Sequence, residues 1–210
     1  MFITLEGIEG SGKTTQIDYI AQFLQEREWS CVITREPGAT RIGKRIRSIL
    51  LDPETKNLDP LTELLLYMSD RVQHVKEVIT PALLAEKTVL CDRFYDATVV
   101  YQGFARNIDI GFIHSLHKML LDGMQPDITI LLDLPAEEGL ARAWKQIDNG
   151  SRQDVETRFE RETLRFHQKV REGYLKLAEQ EPERFRVIDA MQAEDQVRRD
   201  ILSRLSVLYD

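Results

Sequence analysis

The chain has 210 residues, of which 42% are hydrophobic and 30% are charged, and its formal net charge at pH 7 is -7. This length and apolar content suffice for one buried core, and no linker-like stretch divides the chain, so we predict a single domain over residues 1–210. The acidic balance argues against a nucleic-acid-binding surface, because phosphate backbones require clustered positive charge. The sequence shows neither a long apolar run nor a basic-then-apolar leader, so we expect no membrane span and no secretion.

Short apolar, β-rich runs recur along the chain and alternate with helical patterns. The runs cover residues 2–5, 31–34, 88–91, 128–132 and 185–188. Strands that alternate with helices are typical of a parallel sheet covered on both faces. We therefore predict an α/β fold of three layers with a five-stranded parallel sheet. Cys31 and Cys91 lie inside two of these runs and are expected to be buried free thiols, which fits a reducing, cytoplasmic compartment.

A complete phosphate-binding loop follows the first strand. Its pattern is G-x-x-x-x-G-K-[ST], and a helical pattern follows at residues 16–25. Glycines allow backbone N–H groups to turn toward a phosphate, the lysine reaches the β and γ oxygens, and the threonine hydroxyl can ligate Mg²⁺. The motif predicts a P-loop NTPase fold that binds ATP or a similar nucleotide. The predicted nucleotide-binding residues are Gly7, Ile8, Glu9, Gly10, Ser11, Gly12, Lys13, Thr14 and Thr15.

Charged residues stand where the second and third strands end. Arg35-Glu36-Pro37-Gly38 predicts a tight turn in which Pro37 has a cis peptide bond, although its charged pair is also compatible with plain surface positions. Asp92 and Arg93 follow the third strand, beside the phosphate loop. Asp92 is a candidate to hold Mg²⁺ through water and Arg93 to grip a phosphate. The alternative for this pair is a purely structural ion pair.

A long amphipathic helix is predicted to start after Asp59 and to end or kink at Pro81. Tyr67 and Arg71 lie four residues apart on it and therefore share one face, with His74 one turn on. An aromatic ring beside a guanidinium is a plausible pair for stacking on a nucleobase and reading a carbonyl. The competing interpretation is an ordinary core aromatic.

Three more helices are predicted at residues 135–147, 155–179 and 193–208. Basic residues bracket the break between the first two and suit a mobile lid over about residues 142–158, since a closing loop can bring positive charge to a transferred phosphoryl group. The alternative is a solvated helix face. The basic residues are Arg142, Lys145, Arg152, Arg158 and Arg161.

The order and spacing of these motifs resemble the bacterial thymidylate kinase family over essentially the whole chain. The most specific part runs from Asp92-Arg93-Phe94 to Tyr101-Gln102-Gly103, because generic P-loop proteins lack it. The resemblance implies transfer of the γ-phosphoryl group of ATP to dTMP, giving dTDP and ADP. It also implies Mg²⁺ as cofactor, with Thr14 and Asp92 as its protein ligands, and a homodimer.

Site roles are carried over from the resemblance position by position. Glu9 would meet the sugar 3′-hydroxyl and Arg93 the 5′-phosphate of the acceptor. The substrate pocket would further contain Glu36, Pro37, Tyr67 stacked on thymine, Arg71 reading a carbonyl, Thr98, Gln102, and Tyr101, which leaves no room for a ribose 2′-hydroxyl. The catalytic residues would be Glu9, Lys13, Arg93 and Arg152, with Arg142 helping to bind ATP. Since the phosphate loop itself has no arginine, the lid would supply the catalytic cation, with Arg152, Lys145 and Arg158 as the candidates.

Two rival functions stay open at this point. The nearer is a kinase for another small nucleotide or deoxynucleoside, because only the pocket around Tyr67, Arg71, Thr98 and Gln102 would select the base. The more distant is a nucleotide-dependent switch without turnover. A second, acceptor-like group of residues argues against the switch, which needs only one nucleotide site.

Overall fold

Five strands form one parallel sheet within the part of the chain that the structure describes. The computed structural model describes residues 1–150 and 154–206, with only the backbone of residue 154. The strands are β1 (Phe2–Glu6), β2 (Cys31–Arg35), β3 (Thr88–Asp92), β4 (Ile128–Asp133) and β5 (Phe185–Asp189), in the spatial order β2-β3-β1-β4-β5. Each predicted run is a strand that extends one residue further at its carboxyl end.

The central position of β1 explains its composition. Leu5 pairs in register with Asp92 of β3 on one side and with Ile130 of β4 on the other, and every residue of β1 is buried. Since β2 lies at the sheet edge, it is much less buried. Cys31 is accordingly only half-buried, which corrects the prediction of two buried cysteines; Cys91 is buried, and both are free thiols.

Helices flank the sheet, and most begin at a recognisable cap. Asp59 accepts hydrogen bonds from the backbone N–H groups of Leu61 and Thr62, as expected for an N-cap. Thr40 and Asp109 cap two helices that the sequence analysis did not identify. The helices are α1 (Lys13–Gln25), α2 (Arg41–Leu51), α3 (Pro60–His74), α4 (Thr80–Leu84), α5 (Tyr95–Thr98), α6 (Ile110–Leu121), α7 (Ala136–Asp148), α8 (Leu164–Gln180) and α9 (Glu194–Ser206).

Among the described residues, two segments are π-helical, one after α3 and the other after α5. Val75–Ile79 joins α3 to α4, so the helical path continues through Pro81, which was predicted to end or kink it. Proline has no N–H to donate, and the wider π turn that precedes it accommodates this loss. The second segment, Val99–Ala105, directly follows α5 and closes with the Arg106 N–H donating to the Tyr101 carbonyl, 3.0 Å away.

The region after the predicted lid differs from the expectation. A helix was expected from residue 155, but Asp154–Glu156 forms a 3₁₀ turn and α8 begins only at Leu164. Thr163 caps α8 by accepting a hydrogen bond from the Phe166 N–H, and the buried residues before it are held in turns. The last helix reaches Ser206, and the predicted end at residue 208 lies outside the described residues. Among the described helices, none is both long and apolar enough to cross a membrane.

Candidate active site

A cavity of about 700 Å³ lies at the carboxyl edge of the sheet, beside β1, β2 and β3. This is where ligands bind in open parallel sheets. The predicted residues that line it are Glu9, Gly10, Ser11, Gly12, Lys13, Thr14, Thr15, Glu36, Pro37, Tyr67, Arg71, Asp92, Arg93, Thr98, Tyr101 and Gln102. Gly7, Ile8 and Arg142 do not line it, and Arg152 lies outside the described residues.

The phosphate loop runs from the end of β1 into α1, whose first residue is Lys13. Gly7, Gly10 and Gly12 all have positive φ, which lets the backbone turn around an anion. The Lys13 ammonium donates to the loop's own carbonyl groups, at 3.0 Å from the Gly7 oxygen and 2.9 Å from that of Ile8. Burial, with a smaller effect from the Arg93 charge, lowers the pKa of Lys13 to about 8. Its ammonium is therefore held at the loop, beside the expected phosphate position.

The loop also makes a close backbone contact with α7. A Cβ atom on Gly10 would lie 2.1 Å from the Gly139 carbonyl oxygen, and one on Gly139 would lie 2.5 Å from the Glu9 carbonyl oxygen. Both partners are backbone atoms, which cannot yield as the end of a flexible side chain does. The helix α7, which leads into the predicted lid, is thus packed directly on the phosphate loop.

The Gly10→Ala variant is expected to be less stable than Gly123→Ala by about 2 kcal/mol. The two glycines have nearly equal φ, +73° and +68°, but a Cβ on Gly123 would have no atom within 4 Å. The comparison therefore separates the clash with Gly139 from backbone strain, which both variants share. Urea unfolding of the two variants measures the difference, and equal midpoints would contradict the close contact.

Glu9 is the centre of a buried polar cluster. Its Oε1 accepts from Arg93, at 3.0 Å, and from the Tyr101 hydroxyl, at 2.6 Å, while its Oε2 lies 3.1 Å from Nδ1 of His167. Burial alone would raise the pKa of the Glu9 carboxyl. The hydrogen bond from His167 and the charge of Arg93 outweigh burial and hold that pKa well below its usual range. Glu9 is therefore ionised at neutral pH.

Arg93 is aimed over the loop by the turn after β3. Its φ of 65° is in the left-handed region, and the N–H of the next residue, Phe94, donates to Glu6 Oε1 at 2.7 Å. The Tyr174 hydroxyl, 3.2 Å from the Arg93 guanidinium, donates in turn to Glu6 Oε2 at 2.5 Å. Burial, together with the charge of Asp96, raises the pKa of Glu6 to about 7. Glu6 and Tyr174 thus fix the orientation of Arg93 through the Phe94 backbone and the Tyr174 hydroxyl.

Arg71 also lines the cavity and is 1% exposed. Its Nε donates to Glu36 at 2.7 Å, and its Nη2 donates to the Phe94 carbonyl at 3.0 Å and the Thr98 hydroxyl at 2.9 Å. The other carboxylate oxygen of Glu36 lies 2.8 Å from Nδ1 of His74. The turn that carries Glu36 has a cis bond before Pro37, as predicted. Arg71 is therefore locked in one orientation by three separate elements.

Gln102 is oriented by a buried carboxylate. Its amide nitrogen donates to Glu63 Oε1 at 2.8 Å, so its carbonyl oxygen is the end left for a ligand. Arg158 donates to the other oxygen of Glu63 at 2.6 Å, and also to the Leu50 carbonyl. Arg158 does not line the cavity. In this structure Arg158 joins the end of the predicted lid segment to α2 and α3.

The predicted Mg²⁺ ligands, Thr14 and Asp92, both line the cavity. The Asp92 Oδ1 atom is buried and has no hydrogen-bond partner among the described residues, although Asp92 lines the cavity. Thr14 is exposed to the same cavity, in the first turn of α1. An unpartnered carboxylate oxygen and a hydroxyl beside a phosphate loop suit a hard cation that also binds phosphates. The donor set fits Mg²⁺.

Comparison with known proteins decides the family. The sequence model described as Thymidylate kinase matches residues 5–201. The chain belongs to the thymidylate kinase family. It is 51% identical to the thymidylate kinase of Desulfosudis oleivorans, over 100% of this chain and 98% of that protein. It is 55% identical to that of Desulforapulum autotrophicum, over 98% and 91%.

A solved structure agrees with the family at the level of the fold. The crystal structure of thymidylate kinase from Ehrlichia chaffeensis is 33% identical to this chain, covers 98% of both chains and superposes with a TM-score of 0.76. Enzymes of the thymidylate kinase family phosphorylate dTMP to dTDP with ATP as the donor, and this is the reaction of the chain. The predicted fold class, family and reaction are confirmed.

Several residues at this thymidylate kinase site were not identified from the sequence. Arg47 of α2 lines the cavity and forms an ion pair with Glu156 at 2.6 Å, while its other nitrogen donates to the Pro37 carbonyl. Tyr174 and His167 reach the site from α8. None of these contacts has a local sequence signal, because the partners lie far apart along the chain. Arg142, predicted to bind ATP, donates to the Ala190 carbonyl at 3.1 Å.

Proposed function

We propose that the cavity binds the ATP phosphates at the phosphate loop and dTMP at the Arg71 end, so that the two substrates react directly. An oxygen of the dTMP phosphate would attack the γ-phosphorus, the bond from the γ-phosphorus to the β,γ-bridging oxygen would break, and ADP would leave. The observation that carries this proposal is that one cavity is lined by Lys13 of the phosphate loop, by Arg71 and by the Arg93–Glu9 pair. No protein nucleophile is required.

The acceptor phosphate and sugar are assigned to the middle of the cavity. Arg93 is positioned to bind the 5′-phosphate, since a fixed guanidinium matches phosphate geometry. Ionised Glu9 has about four lone-pair sites, of which Arg93, Tyr101 and His167 use three. One site is left for the sugar 3′-hydroxyl. The Tyr101 ring beside Glu9 closes the space where a ribose 2′-hydroxyl would lie.

Thymine is assigned to the pocket of Tyr67, Arg71, Thr98 and Gln102. Tyr67 is half-buried on the cavity wall and offers a ring face for stacking. Four of the five Arg71 N–H groups have partners in the described chain, counting the weak contact with Met68. The fifth can donate to the O4 carbonyl of thymine. The Gln102 carbonyl oxygen can accept from thymine N3–H. Cytosine presents the opposite pattern at both positions and would be rejected.

The donor end depends on cations. Thr14 and Asp92 would hold Mg²⁺ together with the ATP phosphates, and Mg²⁺ supplies neutralisation of charge on the phosphate oxygens when bound. Lys13 would bind the β and γ oxygens. Arg152, supported by Lys145, is the proposed lid cation for the transferred group, because Arg158 is already bound to Glu63. The close backbone contact between Gly10 and Gly139 would make the phosphate loop move when α7 and the lid move.

Acceptor selectivity tests this assignment. With Mg-ATP, kcat/KM for dTMP is expected to exceed that for dCMP by about 10⁴-fold, because a site built to hydrogen-bond a ligand leaves buried groups unpaired with the wrong one. The Gln102→Leu variant should lose most of that ratio. Gln168→Leu, an exposed glutamine on α8 that bonds to Glu137, is the matched control and should keep it. A coupled ADP-release assay with dTMP, dCMP, dUMP and UMP gives the ratios.

The outcomes separate the alternatives. An unchanged ratio in Gln102→Leu would overturn the base assignment while leaving the phosphoryl transfer intact. If the wild type preferred a different acceptor, that nucleotide would be assigned to the pocket in place of dTMP. No turnover with any acceptor would favour a binding protein.

We also propose a homodimer and a cytoplasmic location. Apolar side chains remain exposed on neighbouring helices, including Ile42 and Ile49 of α2, Leu61 and Leu65 of α3, and Phe112 of α6. A face of this kind suits burial against a second copy of the chain. Sedimentation equilibrium measures the oligomeric state. The two free cysteines fit a reducing compartment.

A further inference from the structure

His167 is a fully buried histidine that belongs to none of the motifs discussed above. It lies on α8 with 0% exposure. Its Nδ1 is 3.1 Å from Oε2 of Glu9, and its Nε2 is 3.0 Å from the carbonyl oxygen of Phe159. The ring therefore bridges the phosphate loop and the segment that follows the lid, across 158 positions of sequence on one side and 8 on the other.

The two contacts specify the protons on the ring. A carbonyl oxygen can only accept a hydrogen bond, and an ionised carboxylate can only accept as well. A neutral imidazole has one N–H, so either neutral tautomer would set a ring lone pair against an oxygen lone pair at about 3 Å. In a buried site such a repulsion is not relieved by water. Only the imidazolium, with an N–H on each nitrogen, satisfies both contacts.

Charged groups of both signs surround this contact: the Glu9 carboxylate favours a cationic ring, while Lys13 and Arg93 oppose it but are themselves directed at Glu9. From the phosphate loop, Glu9 faces the ring directly; Lys13 of the same loop is cationic and acts on Glu9. From the turn after β3 and the second π segment, Arg93 and Tyr101 both donate to the other Glu9 oxygen. That oxygen therefore acts as an acceptor twice, which is the role of an ionised carboxylate. From α8 itself, the neighbouring Phe166 ring meets the imidazole edge-on, with centroids 5.5 Å apart.

We propose that His167 is a positioning residue which, as an imidazolium, holds the Glu9 carboxylate ionised and aimed at the acceptor sugar. The inference rests on the proposed role of Glu9 in binding the 3′-hydroxyl. The same ring also donates to the Phe159 carbonyl, in the segment that follows the predicted lid. The orientation of the Glu9 carboxylate therefore depends on the position of that segment.

Nitrogen-15 NMR of histidine-labelled wild-type protein tests the protonation state without any turnover. At neutral pH, both ring nitrogens of His167 are expected to give the imidazolium pattern. In Glu9→Gln, whose amide can donate to Nδ1, one ring proton should be lost and the pattern should become that of a neutral ring. The Glu9→Gln shift identifies the His167 signals among the 4 histidines. A neutral pattern in the wild type would overturn the proposal.

Kinetics test the positioning role. His167→Gln is expected to raise KM for dTMP about 10-fold or more with little change in KM for ATP, since misplacement of a contact group by less than 1 Å is costly. In the Glu9→Gln background the same substitution should have little further effect, because the carboxylate it positions is gone. His114→Gln, an exposed histidine bonded to Tyr95, is the matched control and should match the wild type.

The results are decisive in either direction. Equal changes in both KM values, or full additivity with Glu9→Gln, would show that His167 only stabilises the fold and would overturn the proposal. If His167→Gln does not fold, the NMR comparison of wild type with Glu9→Gln decides the question. A failed acceptor assignment would leave the NMR result standing, so the two proposals fail separately.

Discussion

The Lys13→Met variant is expected to have a kcat about 10³-fold below that of the wild type. The Lys13 ammonium lies beside the expected phosphate position, bonded to the Gly7 and Ile8 carbonyl oxygens at 3.0 and 2.9 Å. In the proposed arrangement it binds the β and γ oxygens of ATP from the phosphate loop, and methionine keeps its length without its charge. Initial rates with saturating Mg-ATP and dTMP give kcat. A loss below 10-fold would remove Lys13 from the catalytic residues.

Stability should move in the opposite direction from activity. Because the folded-state pKa of Lys13 is about 8, below its ordinary 10.5, the folded protein binds fewer protons than the unfolded chain between these pH values. Wild-type stability should therefore rise with pH across this window as far as Lys13 determines it, and Lys13→Met should lack that rise. At neutral pH the variant should be at least as stable as the wild type. Lys87→Met, at an exposed lysine before β3, is the control for both measurements.

The same pKa predicts an alkaline limb in catalysis. The parameter kcat/KM for ATP reports the titration of the free enzyme, so it should fall as pH rises above about 8 and Lys13 loses its proton. Lys13→Arg, whose guanidinium stays charged, should not show this limb. The control variant at Lys87 should keep it.

The Arg93→Leu variant is expected to lose both activity and stability. Its kcat/KM for dTMP should fall about 10³-fold, because the proposed phosphate clamp is gone. It should also be destabilised by about 3 kcal/mol, since removal of Arg93 leaves a buried carboxylate on Glu9 with one cationic partner fewer. The side chains of Arg93 and Glu9 are only 18% and 9% exposed. Urea unfolding and initial rates measure the two effects.

Arg171 is a control that separates the effect of a buried ion pair from the effect of any ion pair. Arg171 forms two hydrogen bonds with Asp133, but these side chains are 35% and 22% exposed. Arg171→Leu should cost less than about 1 kcal/mol and leave kcat/KM unchanged. Arg93→Lys should lie between Arg93→Leu and the wild type, because it keeps the charge and loses the fork of donors. If Arg93→Leu and Arg171→Leu were equally stable and active, the buried pair would have no special role.

The strands and the phosphate loop were predictable because their signals are local. Parallel strands buried on both faces are continuous apolar runs, and the loop has a fixed spacing of glycines and lysine. The Asp59 cap was equally visible. The helix α2 was missed because its arginines and lysine mask the apolar face, although Thr40 caps it.

Contacts between distant positions explain the remaining differences. The start of α8 was predicted at residue 155 because the composition from there onward favours a helix, but Phe159 and Glu160 are buried in the turns before Thr163. The partners of Glu9 come from positions 93, 101 and 167. No local periodicity encodes such contacts. The family resemblance supplied roles for Arg93 and Tyr101, but it gave none to His167.

The π-helical segment Val99–Ala105 has a consequence for how this chain tolerates change in length. A π turn contains about one residue more than an α-helical turn, so the segment is equivalent to a one-residue insertion in an ordinary helix. Tyr101 and Gln102 both lie inside it. Deleting one residue inside the segment would turn the side chains between the deletion and Ala105 by about 100° around the helix axis, away from their present contacts. Engineering by loop grafting or register alignment should therefore preserve the spacing from Asp92 to Arg106, while surface turns elsewhere accept insertions more readily.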